Sequence, residues 1–379
     1  MQFLTSVPAG VLFLVSFLIC GALVATKHLH LHRSTRDHDG YAVQSAHTTP
    51  TPRIGGIGVV VAVLLAFIWI PPEPLGPTFG LLALSLLPIF FAGLAEDLGF
   101  GVSAGRRLIA AMVSAALAVL MLQIWVDRVD VPVVDHLFEL APFAIAFTVF
   151  ASAGICNAFN LIDGLNGLAS ATGILVALGL GGIALQAGDP GLANVAFALV
   201  PAIFGFLALN FPFGKIFLGD AGAYSMGHAL VWTAIVVVAR SAEVTPWAIV
   251  LVFFWPICDT LFAIYRRSRS GKQLGQPDQM HFHQLVMRGI EIRFIGRGRR
   301  HIANPLAAGA LLCFIAPPVA AGVWLWDKPA AAAAAVVVFA AAFLGAYAFG
   351  LHYFRKYARE HRRNRQVSKS ERRAQARGR

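Results

Sequence analysis

Apolar residues along this chain are gathered into long, almost charge-free runs, and the runs are separated by short polar segments. Such runs lie near 3–26, 54–71, 78–95, 107–126, 139–157, 168–187, 191–210, 223–240, 246–265, 303–326 and 330–352. Each is close to the ~20 residues that a helix needs to cross the hydrocarbon core of a bilayer. The pattern predicts an all-α, polytopic integral membrane protein of about eleven transmembrane helices. The first run has almost no basic residues before it and no small-residue cleavage pattern ahead of Lys27, so a retained helix is expected there and not a removed leader.

Composition agrees with the pattern. Of 379 residues 58% are hydrophobic and only 13% charged, too few polar groups to cover a water-soluble body of this size. The four cysteines Cys20, Cys156, Cys258 and Cys313 are far apart, lie in apolar runs and lack CxxC spacing, so they read as small buried hydrophobes. The six alanines from Ala330 to Ala335 make a thin helix surface suited to close packing.

The net charge of +11 would suit nucleic acid, but the placement of the charges argues for a bilayer and no nucleic acid. With the N-terminus outside and eleven crossings, the outer connections hold three basic residues, Arg128, Arg240 and Lys328, out of 30 in the chain. The rest fall inside, as the positive-inside rule requires. The expected organisation is a multi-span domain over 1–352, a long cytoplasmic loop at 266–303 within it, and a basic cytoplasmic tail at 353–379. Arg355 to Arg379 contains eleven Lys or Arg, a block that anionic headgroups attract.

Threading the chain in this way puts every unusual polar stretch on one side. SAHTTPTPRIGG (45–56), GLAEDLGFGVSAGRRL (93–108), NAFNLIDGLNG (157–167), NFPFGKIFLGDAG (210–222) and the loop containing DQMHFHQL all become cytoplasmic. Glu96, Asp97, Asp163 and Asp220 each stand at a helix end near hydrocarbon, where a carboxylate needs a partner or a task. Acids with bases close behind them, Asp97 with Arg106 and Arg107 or Asp220 with Lys215, suit a metal-bridged diphosphate. Carboxamides in the 157–167 loop offer both donor and acceptor to the edge of a base. From these residues alone two readings stand: a nucleoside diphosphate compound handled at the inner surface, or a transporter that buries paired charges.

The order of these motifs narrows the choice. PRIGG, an acidic pair followed by Arg, NxxNLxDGxxGLA, an Asn ten residues before the Asp of FLGDAG, and DxxHxH together resemble the polyprenyl-phosphate N-acetylhexosamine-1-phosphate transferases, from about Pro50 to His283. The resemblance implies that a polyprenyl phosphate, usually undecaprenyl phosphate, attacks the β-phosphorus of a UDP-sugar and UMP leaves. A lipid-linked surface polysaccharide such as O-antigen, exopolysaccharide or teichoic acid would be started at the bacterial inner membrane. It further implies Mg2+, with Mn2+ as an alternative, held by Asp220. Asn210 would lie beside the metal, and Asp97 with Glu96 would act on the acceptor phosphate as further catalytic groups. Asn157, Asn160, Asp163 and Asn166 would face the nucleotide and Phe217 would stack on uracil. Arg53, Arg106 and Arg107 would meet phosphate, with His47 beside Arg53, and His281 and His283 would meet the sugar end. Some relatives are dimers, so a homodimer is allowed.

This chain departs from the usual pattern in several places. Glu96 replaces the first Asp of an Asp-Asp pair, Asn166 stands where many relatives carry Asp, and Gln284 and Gln279 replace a third His and an Arg. The three consecutive histidines of the peptidoglycan translocase are absent. These changes leave the sugar open, and they also permit a non-catalytic homologue. A lipid-linked saccharide flippase is the other alternative. Asp259, near the inner end of its run, is expected to make an interhelical polar contact and not to take part in chemistry. His28, His30 and His32 read as a solvated face.

Overall fold

A computed structural model describes residues 9–34, 51–70, 76–270, 280–296 and 298–377, and these form helices and loops without a strand. Among the described residues each of the eleven apolar runs is mostly helical. Seven helices are long and apolar enough to cross a membrane: Ala104–Leu122, Ala141–Ile162, Leu168–Gln186, Pro190–Asn210, Gly219–Arg240, Arg300–Trp324 and the apolar part of the last helix, Pro329–Tyr353. An eighth is the pair Pro246–Val252 and Phe254–Arg269, bent by 81°. The expected polytopic all-α architecture is therefore present, with seven or eight helices of spanning length against eleven apolar runs.

The difference has local causes. Within the described residues the apolar helices Ala9–Ala25 and Gly56–Trp69 fall short of spanning length, and the run near 78–95 is divided among Gly76–Gly80, Leu82–Ser85 and Leu87–Asp97. Pro88, in the first turn of the last of these, has no N–H to continue the preceding turn. Pro256 acts similarly at the 81° bend: it withholds an N–H from the carbonyl of Val252, where the first half of the pair ends. The last helix continues without a break from Pro329 to Arg377, so the described part of the basic segment extends it.

One helix organises the rest. The apolar window of Gly219–Arg240 is 100% buried, against 17% for Pro329–Tyr353, so it runs through the protein and not along the lipid. Gly56–Trp69, Leu87–Asp97, Ala141–Ile162 and Leu168–Gln186 pack around it. Small residues set the distances: a Cβ added to Gly93 would lie 2.6 Å from Ala221 Cα, and one on Gly227 would lie 2.8 Å from Cys156 Cα. Gly56 lies equally close to Gly222. Close backbone approach of this kind favours helix pairing in lipid. Its consequence here is that several helix ends converge on the first turns of Gly219–Arg240.

Candidate active site

The site is built around the start of that central helix. Segment 52–56 lies beside 217–218 through three backbone hydrogen bonds: Phe217 N–H to Pro52 O (2.8 Å), Gly55 N–H to Phe217 O (2.9 Å) and Gly56 N–H to Leu218 O (2.8 Å). Gly219 then turns the chain into the helix with φ +73°, against the Arg53 carbonyl, a position that no side chain could share. Asp220 consequently occupies the first helical turn.

The free N–H groups of that turn are met by Asp97. Its Oδ1 accepts from Asp220 N–H and its Oδ2 from Ala221 N–H, both at 2.9 Å. A carboxylate at a helix N-terminus is stabilised by those amides and by the helix dipole. Burial, together with the neighbouring Asp220, nevertheless holds the Asp97 carboxyl well above the usual range, opposed by the two amides and by Arg53.

Asp220 joins two further loops. Its Oδ1 accepts from Asn160 Nδ2 at 2.8 Å, and its Oδ2 pairs with Arg107 Nη1. Arg107 Nη1 is also 3.5 Å from Glu96 Oε1. Glu96 Oε2 and Arg107 Nε are buried with no hydrogen-bond partner, so these two residues keep bonding capacity in hand. Tyr224, one turn beyond Asp220, donates its hydroxyl to Asn157 Oδ1 at 3.0 Å. Asp163 caps the helix that carries Asn157 and Asn160; burial pushes its carboxyl up to about 7, against the pull of Arg53.

Two carboxamides expected to face the ligand also brace loops. Asn210 is buried, accepts from Gly167 N–H (2.6 Å) and donates to Ile216 O (2.7 Å). Asn166 is buried too: its amide donates to Pro212 O (2.9 Å), and its N–H is taken by Asn304 Oδ1 (2.8 Å). Together they tie 157–167 to 210–216 and to the Arg300–Trp324 helix. Phe217 is half-buried and Arg106 is exposed, while Arg107 enters the Asp220 cluster. His47, Asp278 and Gln279 lie outside the described residues.

The histidine motif forms a second group. His281 Nδ1 is 3.0 Å from Asp259 Oδ2, and Phe282 N–H donates to Asp259 Oδ1 at 3.2 Å. The rings of His281 and His283 stack at 5.5 Å. His283 packs on Gly164, so the histidines adjoin the 157–167 loop. Neither ring nitrogen of His283 has a hydrogen-bond partner, and burial pushes this imidazole down to about 4, which keeps it neutral at pH 7.

Two groups have metal-binding chemistry. Around Asp220 the donors are carboxylate oxygens, the set a hard cation such as Mg2+ takes. Glu96, Asp97, Asp163 and Asp220 bring four carboxyl groups against the guanidinium groups of Arg53 and Arg107, an excess of acidic oxygen that suits a cation. Asp259, His281 and His283 bring three ligand atoms within 4.8 Å of one another, a nitrogen-rich set that suits a transition metal better.

Sequence reasoning passed over Tyr224, Asn304 and the full role of Asp259. Tyr224 follows Asp220 by four residues, the spacing that shares a helix face. Asn304 opens an apolar run where an amide has no other purpose. Asp259 makes the interhelical polar contact expected of it, to His281 and Phe282 at the start of the Phe282–Ile290 helix.

Comparison with known proteins gives the family. Residues 79–238 match glycosyl transferase family 4. The decaprenyl-phosphate N-acetylglucosaminephosphotransferase of Mycobacterium tuberculosis is 30% identical over 293 residues, covering 68% of this chain and 69% of that protein. This chain belongs to glycosyl transferase family 4. A Bacillus subtilis member, named probable undecaprenyl-phosphate N-acetylglucosaminyl 1-phosphate transferase, is 30% identical over 64% of this chain and 68% of its own. The undecaprenyl-phosphate alpha-N-acetylglucosaminyl 1-phosphate transferase of Yersinia pestis is 29% identical over 64% and 67%. The matched family region contains Glu96, Asp97, Arg107, the 157–167 loop and Asp220.

Proposed function

We propose that this family 4 protein transfers an N-acetylhexosamine-1-phosphate, or a related sugar-1-phosphate, from a UDP-sugar to polyprenyl phosphate and releases UMP. It would thereby start a lipid-linked surface polysaccharide. The observation that carries this reading is the convergence on Asp220 of three separate segments: Asp97 and Arg107 from 93–108, Asn160 from the 157–167 stretch, and the Arg53 segment. The relatives are named as undecaprenyl- or decaprenyl-phosphate transferases, which supports the same acceptor class here.

The residues divide the work by what their polar atoms already hold. Asp97 has both oxygens on backbone amides and therefore sets the position of Asp220. Asp220 would hold Mg2+, with Mn2+ as an alternative, and the ion would neutralise diphosphate charge as UMP departs. Glu96 and Arg107, with unmatched atoms, face the acceptor phosphate. That phosphate is already largely ionised near pH 7, its second pKa being about 6, so charge control outweighs proton removal. Asn157, Asn160 and Asp163 line the nucleoside side, with Phe217 against the base and His281 and His283 toward the sugar. Asn166 and Asn210 hold the loops in register.

The charge asymmetry supports an inner-membrane orientation with the N-terminus outside and the basic C-terminal helix in the cytoplasm. A reporter fused to the C-terminus should therefore report the cytoplasm. The direct test combines purified protein, undecaprenyl phosphate, Mg2+ and a panel of UDP-sugars, with release of UMP and formation of the diphosphate lipid as readouts. Turnover with at least one HexNAc donor is expected. Absence of UMP with every donor overturns the reading.

A further inference from the structure

Asp259 is buried, 2% exposed, on the helix that follows the Pro256 bend, far in sequence from every acid of the Asp220 cluster. Both of its oxygens meet one corner of the chain, Oδ2 at His281 Nδ1 and Oδ1 at Phe282 N–H. A buried carboxylate is tolerated when donors surround it, and this one has two. The same two contacts constrain the ring. A carboxylate accepts, so the nitrogen facing it must carry the proton, and the tautomer of a histidine follows from the partner of its other nitrogen.

We infer that Asp259 is a positioning residue: it holds His281 in the Nδ1–H form and leaves the Nε2 lone pair for a hydroxyl or amide N–H of the bound donor. His281 stacks on His283, which packs on Gly164 of the nucleoside-side loop, so the ring lies at the edge of the donor site. This inference rests on the proposed transferase function for what the donor is, and on the structure alone for the tautomer.

A carboxylate is needed here and an amide would not serve. Phe282 N–H and His281 Nδ1–H are both donors, and an Asn side chain has one acceptor and one donor end. With its oxygen on Phe282 N–H, its NH2 would face His281 and force the proton to Nε2, reversing what the ring offers the donor.

The test uses full-length protein with 15N-labelled histidine in lipid bilayers, where solid-state NMR separates the two tautomers. The His281 signal is the one lost in His281→Gln. In the substrate-free wild type it should report Nδ1–H, and in Asp259→Asn it should switch to Nε2–H. Donor kcat/KM should fall about 10- to 100-fold in Asp259→Asn, the range for a residue that orients an active group. The double variant Asp259→Asn/His281→Gln should be no worse than His281→Gln alone. Wild-type His281 protonated at Nε2 overturns the inference, as do additive losses in the double variant. Stoichiometric zinc retained by the wild type and lost in Asp259→Asn would show metal ligation in its place. If Asp259→Asn does not fold, the wild-type tautomer still decides. Nδ1–H in a wild type that releases no UMP from any donor would instead sink the transferase reading.

Discussion

The two ends of the Gly219–Arg240 helix carry charges of the signs its dipole favours, acid at the start and Arg240 at the finish, yet they differ in what is left unmatched. At the Arg240 end, Arg240 Nε meets Asp189 Oδ2 at 2.5 Å. Just beyond, Arg128 Nη2 donates to the carbonyls of Ser241, Ala242 and Val244 at 3.3, 3.0 and 3.0 Å. Charges there close a helix terminus and its loop. At the Asp220 end, Glu96 Oε2 and Arg107 Nε are buried without partners. Leaving such atoms unmatched costs free energy, and they are accounted for if a ligand completes them. On the proposed function, the comparison separates charges that hold the fold from charges that wait for substrate.

Removing Asp220 should break the active end most. Asp220→Asn keeps an acceptor for Asn160 but weakens cation binding and the pairing with Arg107, and turnover should fall by about 1,000-fold, the upper range for loss of one charge-stabilising group. UMP release at saturating donor measures it. Near-normal, Mg2+-dependent turnover would remove Asp220 from the metal site.

Asp97 and Glu96 are adjacent in sequence but should separate in effect. Asp97→Asn offers only one acceptor to two amide donors, so it should lose about 1–3 kcal/mol of stability along with activity. Glu96→Gln disturbs no backbone contact; turnover should drop by about 100-fold with little change in thermal unfolding. Thermal unfolding in detergent beside UMP release distinguishes them. Equal loss of stability in both would mean that Glu96 also serves the fold.

Much of this was legible in the sequence because two strong constraints act on it. Hydrocarbon demands apolar runs of fixed length, and charge asymmetry orients them, so the grouping of Glu96, Arg107, Asn157, Asn160, Asp163 and Asp220 at one end followed from threading. What the sequence could not show was direction within the cluster. Asp97 and Asp220 look equivalent as letters, but only close packing of Gly93 on Ala221 brings the Asp97 carboxylate onto the amides of the central helix. Asn210 and Asn166 look like ligands because carboxamides suit bases, and loop bracing has the same composition. Asp259 was legible as an interhelical contact but its partners were not, since a run of apolar residues does not reveal where its helix turns.

Asn166→Asp sharpens that distinction, because it introduces the residue found in many relatives. The Asn166 amide donates to Pro212 O, so a carboxylate would set oxygen against oxygen at a site 4% exposed. A loss of about 2 kcal/mol is expected, with donor preference unchanged. A stable variant with altered choice among UDP-sugars would instead place this side chain at the donor.

The smallest effect belongs to the Arg240 end. Side chains of Arg240 and Asp189 are 19% and 16% exposed, between a surface pair and a buried one. Arg240→Ala leaves Asp189 capping its own helix through Leu192 N–H at 2.9 Å, so about 1 kcal/mol is the expected loss. Turnover should stay within about twofold, the range of substitutions away from working groups. A tenfold fall in UMP release at unchanged stability would couple the two ends of the helix, and the division between holding and waiting charges would then fail.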